Sequence, residues 1–209
     1  MRDYGAMVTV GLVLSAGGYQ AAAHHAGVLD ALASSTGWDP RSADVVVGTS
    51  AGAVMAVCLR AGLSATDLAG HYLGVPLSPE GQIISARVTT RLHVTDPNLR
   101  PLSRRPANLM LVARELFIGG RPRPMVAFTG LLPEGEIDGS SFAERAEQLH
   151  PGPWPSGATW ICAVDLASGR RVVFGRDDVE TAIGPAVQAS SAVPGYFAPV
   201  EIGDRRYVD

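Results

Sequence analysis

Apolar residues in this chain come in short β-branched runs that break at glycine, each followed by a segment with apolar positions at helical spacing. The run VTVGLVL (residues 8 to 14) passes through Ser15-Ala16-Gly17-Gly18 into a segment from about Gln20 to Ser34. There Val28, Leu29 and Leu32 recur at helical spacing, which predicts a strand followed by a helix. The unit repeats at ADVVVG (43 to 48), which leads through Thr49 and Ser50 into AGAVMAVCLRAG, a helix of small residues ending near Gly62. Ser64 to Asp67 has the form of a capping box and predicts a third helix over SATDLAGHYLG.

The stretch from Val75 to Pro106 is rich in Pro, Ser and Arg and reads as an irregular insertion, with a helix ANLMLVARELF behind it. Further on, TWICAVDLASGRRVVF reads as two strands joined by the turn ASGR. DDVETAIGPAVQASSAV reads as a helix interrupted at Pro185 and stopped at Pro194-Gly195. Continuous apolar strands alternating with helices predict an α/β layered sheet covered on both faces.

Length and composition set bounds on this picture. With 209 residues, 46% hydrophobic and 18% charged, the chain can bury one sizeable core, and we read residues 1–209 as a single domain with an Arg/Pro-rich insertion over 75–125. The formal net charge of -3 argues against a nucleic-acid partner. All 17 basic residues are arginine, and eight of them fall between Arg87 and Arg123 against only Asp96 and Glu115. That local positive charge is either a solvated loop or a patch that meets anionic lipid headgroups. Cys58 and Cys162 sit in apolar settings and read as small buried hydrophobes. No Cys/His/Asp/Glu spacing suggests a metal, and no cofactor is expected. Arg2 followed by AMVTVGLVLSAGG imitates a short export signal, but its β-branched run leading into a glycine turn fits a first strand better, so the expected location is cytoplasmic, peripheral at a membrane only if the Arg87–Arg123 region is the lipid patch rather than the solvated loop.

The chemistry points to Gly48-Thr49-Ser50-Ala51-Gly52. This is G-x-S-x-G after a predicted strand and before a predicted helix, the context in which such a serine is a nucleophile. A sharp turn there leaves no room for side chains at Gly48 and Gly52, and it aims a helix N-terminus at charge developing beside Ser50. The plain alternative is a serine N-cap. Gly17 and Gly18, between a strand and a helix, could converge backbone N–H groups into an oxyanion hole together with that of Ala51. A base is harder to find. Among His24, His25, His71, His93 and His150, only His150, after Asp138, comes near the order a hydrolase triad requires, and LHPGPWP looks like a helix end.

Four segments in order, LVLSAGGYQAAAHHAGVLDAL, VVVGTSAGAVMA, ICAVDLASGRRVVF and ASSAVPGYFAPVEIGDRRYVD, resemble the patatin-like phospholipase family from about Val10 to Asp209. The resemblance implies a three-layer α/β/α sandwich with a mainly parallel central sheet and a Ser–Asp dyad without histidine. Ser50 would be the nucleophile and Asp209 the base. The implied reaction is hydrolysis of a phospholipid or other acyl-ester lipid through an acyl-enzyme. An acyltransferase, or a relative that binds lipid or protein without catalysis, would share the scaffold. Two departures stand out. The glycine-rich segment has Ala16, Gln20 and Ala21 where the family usually carries a further glycine and a basic residue. The family also continues past the motif that ends here at Asp209, so the sequence is read as C-terminally incomplete.

Overall fold

The computed structural model describes residues 9–91, 108–113 and 130–209. Its order is β1 (Gly11–Leu14), α1 (Gly18–Thr36), β2 (Val45–Thr49), α2 (Ala51–Arg60), α3 (Ala65–Leu73), α4 (Pro79–Ser85), α5 (Leu109–Ala113), α6 (Ser140–Leu149), β3 (Ala158–Asp165), β4 (Arg170–Phe174), α7 (Ile183–Ser191), β5 (Val200–Ile202) and β6 (Arg205–Val208). The α/β class expected from the alternating pattern holds.

The strands form one mixed sheet. β1, β2 and β3 are parallel neighbours, while β4 and β6 both pair antiparallel with β3, and β5 pairs antiparallel with β6. The parallel half is thus extended by antiparallel hairpins, because ASGR and the Gly203-Asp204 turn are too short to cross over a sheet. β2 matches β3 over Ala158 to Cys162 and β6 matches it at Val164 and Asp165, while β4 spans Ile161 to Asp165. A strand has two edges, so β2 and β6 must share the edge opposite β4. They run in opposite senses along it, and their C-terminal ends, Thr49 and Val208, therefore meet head-on.

The buried face carries Val46 and Gly48 of β2 beside Thr159, Ile161 and Ala163 of β3. Helix α2 packs there against β1, β2 and β3, and α7 packs against β3, β5 and β6 while also touching α2. Small residues allow α2 to lie close: a Cβ at Gly48 would strike the backbone of Gly52 and Ala53. The opposite-facing residues Val45, Val47, Trp160 and Cys162 are half-buried.

Two expectations change. Residues 79–85, read as irregular, form α4, because the Ser78 hydroxyl accepts the Gly81 N–H and Pro79 occupies the first turn, where no N–H is needed. Pro185 does not interrupt a longer helix; it lies in the first turn of α7, which begins only at Ile183. The helix read over ANLMLVARELF is described at Leu109–Ala113 alone, and the rest of the arginine-rich stretch, 92–107 and 114–129, lies outside the described residues.

Candidate active site

Ser50 joins β2 to α2 with φ 53°, the single positive φ outside glycine among the described residues. A side chain in that region is strained, and the strain persists only where surroundings over-determine it. They do so here. The Ser50 N–H donates to Ser190 Oγ on α7 at 2.8 Å, and the Ser50 carbonyl accepts the N–H groups of Ala53 (2.9 Å) and Val54 (3.2 Å). Ser50 is 7% exposed. Its side chain makes no cap hydrogen bond to α2, so the N-cap alternative does not describe how the hydroxyl is used.

The hydroxyl instead faces the carboxylate of Asp209, near enough to lower that group's pKa. The head-on meeting of β2 and β6 puts Asp209, one residue past β6, across from Ser50, and its N–H donates to the carbonyl of Ala192 at 2.9 Å. Burial raises the pKa of Asp209 above the ordinary aspartate value, against a smaller downward pull from the Ser50 hydrogen bond. The end of α7 therefore holds both groups, Ser190 in the helix gripping Ser50 and Ala192, the residue just past it, gripping Asp209.

Gly17 and Gly18 adopt φ 142° and 63°, values that favour glycine, in the turn between β1 and α1. A Cβ on Gly17 would sit 2.6 Å from that of Ala21, and one on Gly52 would collide with the Leu14 carbonyl. The second contact lays the end of β1 against the start of α2, which brings the Gly17-Gly18 turn beside Ser50. Within the described residues the N–H groups of Gly17, Gly18 and Ala51 have no acceptor. Ala51 opens α2, whose dipole adds positive potential at the same place.

The other sequence candidates lie elsewhere. His150 caps the C-terminus of α6 and its Nε2 bonds to the Val57 carbonyl at 2.9 Å, seven residues along α2 from Ser50. His25 shares a 3.3 Å hydrogen bond with Ser15 Oγ; burial, helped by neighbouring His24, holds its pKa below the ordinary value. The Cys58 thiol is pushed up to about 11 by burial, so it is inert at neutral pH. Among the described residues no group of three or more His, Cys, Asp or Glu could hold a metal ion, and no helix is long and apolar enough to cross a membrane. Of the eight arginines from Arg87 to Arg123 that could meet lipid headgroups, six lie outside the described residues.

Sequence reasoning missed Ser190. The signal was a hydroxyl at a core-facing position of an Ala/Val helix, where a polar group needs a reason.

Comparison with curated proteins finds no match. Among solved structures, the chain is similar to VipD from Legionella pneumophila at 15% identity and a TM-score of 0.48, over 96% of this chain and 45% of that one, so it spans less than half the length of that protein. The family model of patatin-like phospholipases matches residues 12–209, from inside β1 to Asp209. The match covers both candidate dyad residues and nearly all of the sequence, and the chain belongs to the patatin-like phospholipase family.

Proposed function

We propose that this chain is a lipid acyl hydrolase that works through a Ser50–Asp209 dyad. The observation that carries the reading is the half-buried carboxylate of Asp209 facing the hydroxyl of a serine held at positive φ between a strand and a helix. Asp209 accepts the hydroxyl proton as Ser50 Oγ attacks the ester carbonyl, and returns it to the leaving alcohol as the acyl-enzyme forms. Water, deprotonated by the same carboxylate, then attacks the acyl carbonyl, and Asp209 hands that proton to the departing Ser50 Oγ as the fatty acid is released. An ordinary aspartate, with a pKa of about 3.9, is too weak a base for a hydroxyl at neutral pH, and burial reduces that mismatch.

The N–H groups of Gly17, Gly18 and Ala51 supply the oxyanion hole. The Ser50 N–H takes no part, because Ser190 already holds it. With Gln20 in place of a basic residue, stabilisation of the oxyanion falls to backbone donors and the α2 dipole.

A fluorophosphonate probe and p-nitrophenyl butyrate test this reading. Wild type is expected to label and turn over, with both activities lost in Ser50→Ala and turnover reduced by at least about 10³-fold in Asp209→Asn. Labelling that survives Ser50→Ala would overturn the assignment. Absence of labelling in wild type would leave a lipid-binding relative.

A further inference from the structure

A cavity of about 330 Å³ lies between α2, α3, α4 and α6, at the small end of ligand-pocket sizes. Its position relative to Ser50 is fixed from two sides. Val54 lines it from α2, four residues and one helical turn beyond Ser50. Val187 lines it from α7, one turn before Ser190, which holds Ser50. Tyr19, next to the Gly17-Gly18 turn, stands at its edge with its ring 5.2 Å from that of Tyr72. The wall is mostly apolar, and Cys58, eight residues and roughly 12 Å along α2 from Ser50, marks its far part.

Arg145 of α6 lines that same part. Its guanidinium acts on both the Cys58 thiol and the Tyr72 hydroxyl. It donates once, to the Thr90 carbonyl at 3.0 Å, and no carboxylate among the described residues pairs with it. Asp67, the other ionised group in the wall, is different: its oxygens already accept from Ser64 Oγ, Ser78 N and Ser78 Oγ. Arg145 is thus the charge in this wall with hydrogen-bonding capacity left.

We propose that the cavity receives the acyl chain of the ester held at Ser50, and that Arg145 limits the length of chain it accepts. The proposal rests on the hydrolase reading above. Each methylene buried along the apolar part adds roughly fourfold in affinity. A chain end that reaches Arg145 strips the guanidinium of solvent and offers no acceptor in return, so the gain stops there.

The test compares kcat/KM for p-nitrophenyl butyrate, octanoate and palmitate in wild type, Arg145→Met, Arg145→Lys and Gln148→Ala. Gln148 separates charge from support, because it holds the Thr89 and Thr90 N–H groups as Arg145 holds the Thr90 carbonyl, yet it does not line the cavity. Arg145→Met is expected to raise the palmitate-to-butyrate ratio at least tenfold, with Arg145→Lys and Gln148→Ala close to wild type. An unchanged ratio in Arg145→Met, or the same rise in Gln148→Ala, overturns the proposal.

Binding of methyl cis-parinarate to Ser50→Ala reads the cavity without turnover. Loss of its fluorescence in Ser50→Ala/Cys58→Phe and at least fivefold tighter binding in Ser50→Ala/Arg145→Met are expected; no change in either overturns the proposal even where no ester is hydrolysed. Butyrate turnover that disappears in wild type itself would instead count against the hydrolase reading.

Discussion

At the scale of residues, the site depends on groups whose preferences are opposed by their surroundings. Ser50 sits at a backbone angle that L-residues avoid, and the bond from its N–H to Ser190 is the contact from outside its own turn that holds it there. Ser190→Ala leaves that buried donor unpaired, at a cost of about 1–3 kcal/mol. The expected result is a roughly tenfold fall in kcat with KM for p-nitrophenyl butyrate little changed, and a lower thermal midpoint. A change in KM alone would mean that Ser190 shapes binding rather than the nucleophile. Asp209 carries the opposite tension. Its folded pKa lies above the unfolded value, so the stability it contributes is fully present below the unfolded pKa and is lost as pH rises through the folded pKa. The charged form of the carboxylate is therefore a local liability, and it is the form that the proposed dyad uses. Asp209→Asn is expected to raise Tm at pH 7 by about 2 °C or more while abolishing turnover, with the difference shrinking as pH falls toward the unfolded pKa. Differential scanning calorimetry across that pH range checks both the sign and the trend.

At the scale of elements, caps and glycines decide where helices start and how closely they approach. Asp67 is an example of one side chain joining two helices. Its carboxylate accepts from the hydroxyl of Ser64, which caps α3, and from both the N–H and the hydroxyl of Ser78, which caps α4. Burial alone would raise its pKa, but these hydrogen bonds together hold it below the ordinary value. The stability that follows is present above the unfolded pKa and is lost as pH falls through the folded one. Asp67→Asn is expected to destabilise the protein by about 1–3 kcal/mol at pH 7, with the deficit disappearing in acid, as measured by urea unfolding at a series of pH values. The same network explains what could be read in the sequence. Ser64 and Asp67 are three residues apart, so the α3 cap is visible locally. The α4 cap depends on Asp67 eleven residues upstream of Ser78, and Pro79-Glu80-Gly81 looks like a loop until that contact is known. The G-x-S-x-G turn was legible because its two glycines face fixed neighbours at fixed spacing. Ser190 and the Asp209 contact were not, since nothing local distinguishes a gripping hydroxyl from a tolerated one, and Asp209 entered only through the family resemblance.

At the scale of the whole molecule, Asp209 is brought to Ser50 across a short seam between β6 and β3. The β5–β6 hairpin that carries Asp209 joins the rest of the sheet through two residue pairs, Val164 with Val208 and Asp165 with Tyr207. Further contacts secure it, including the packing of α7 against both strands, the bond from the Leu166 N–H to the Arg206 carbonyl at 2.8 Å and the Arg206–Glu134 ion pair at 2.8 Å. The Asp209 N–H bonds to Ala192, the buried Tyr207 ring packs edge-on against Phe174 at 5.2 Å, and Arg205 reaches the buried Asp165 at 3.2 Å. The Arg205 side chain is largely exposed, so its ion pair adds little, and the ring pair is worth about 0.5–1.5 kcal/mol beyond its buried area. β2 is held on both sides by parallel neighbours from Val45 to Gly48. The hairpin should therefore open at a lower free energy than the sheet it joins, and opening it separates the proposed base, Asp209, from the proposed nucleophile, Ser50. Native-state hydrogen exchange is expected to give a smaller opening free energy for the Asp209 amide than for those of Val46 and Val47. Tyr207→Leu should lower the Asp209 value further and leave the β2 amides closer to wild type. Equal values at both places, falling together in Tyr207→Leu, would mean that the dyad is lost only when the whole protein unfolds.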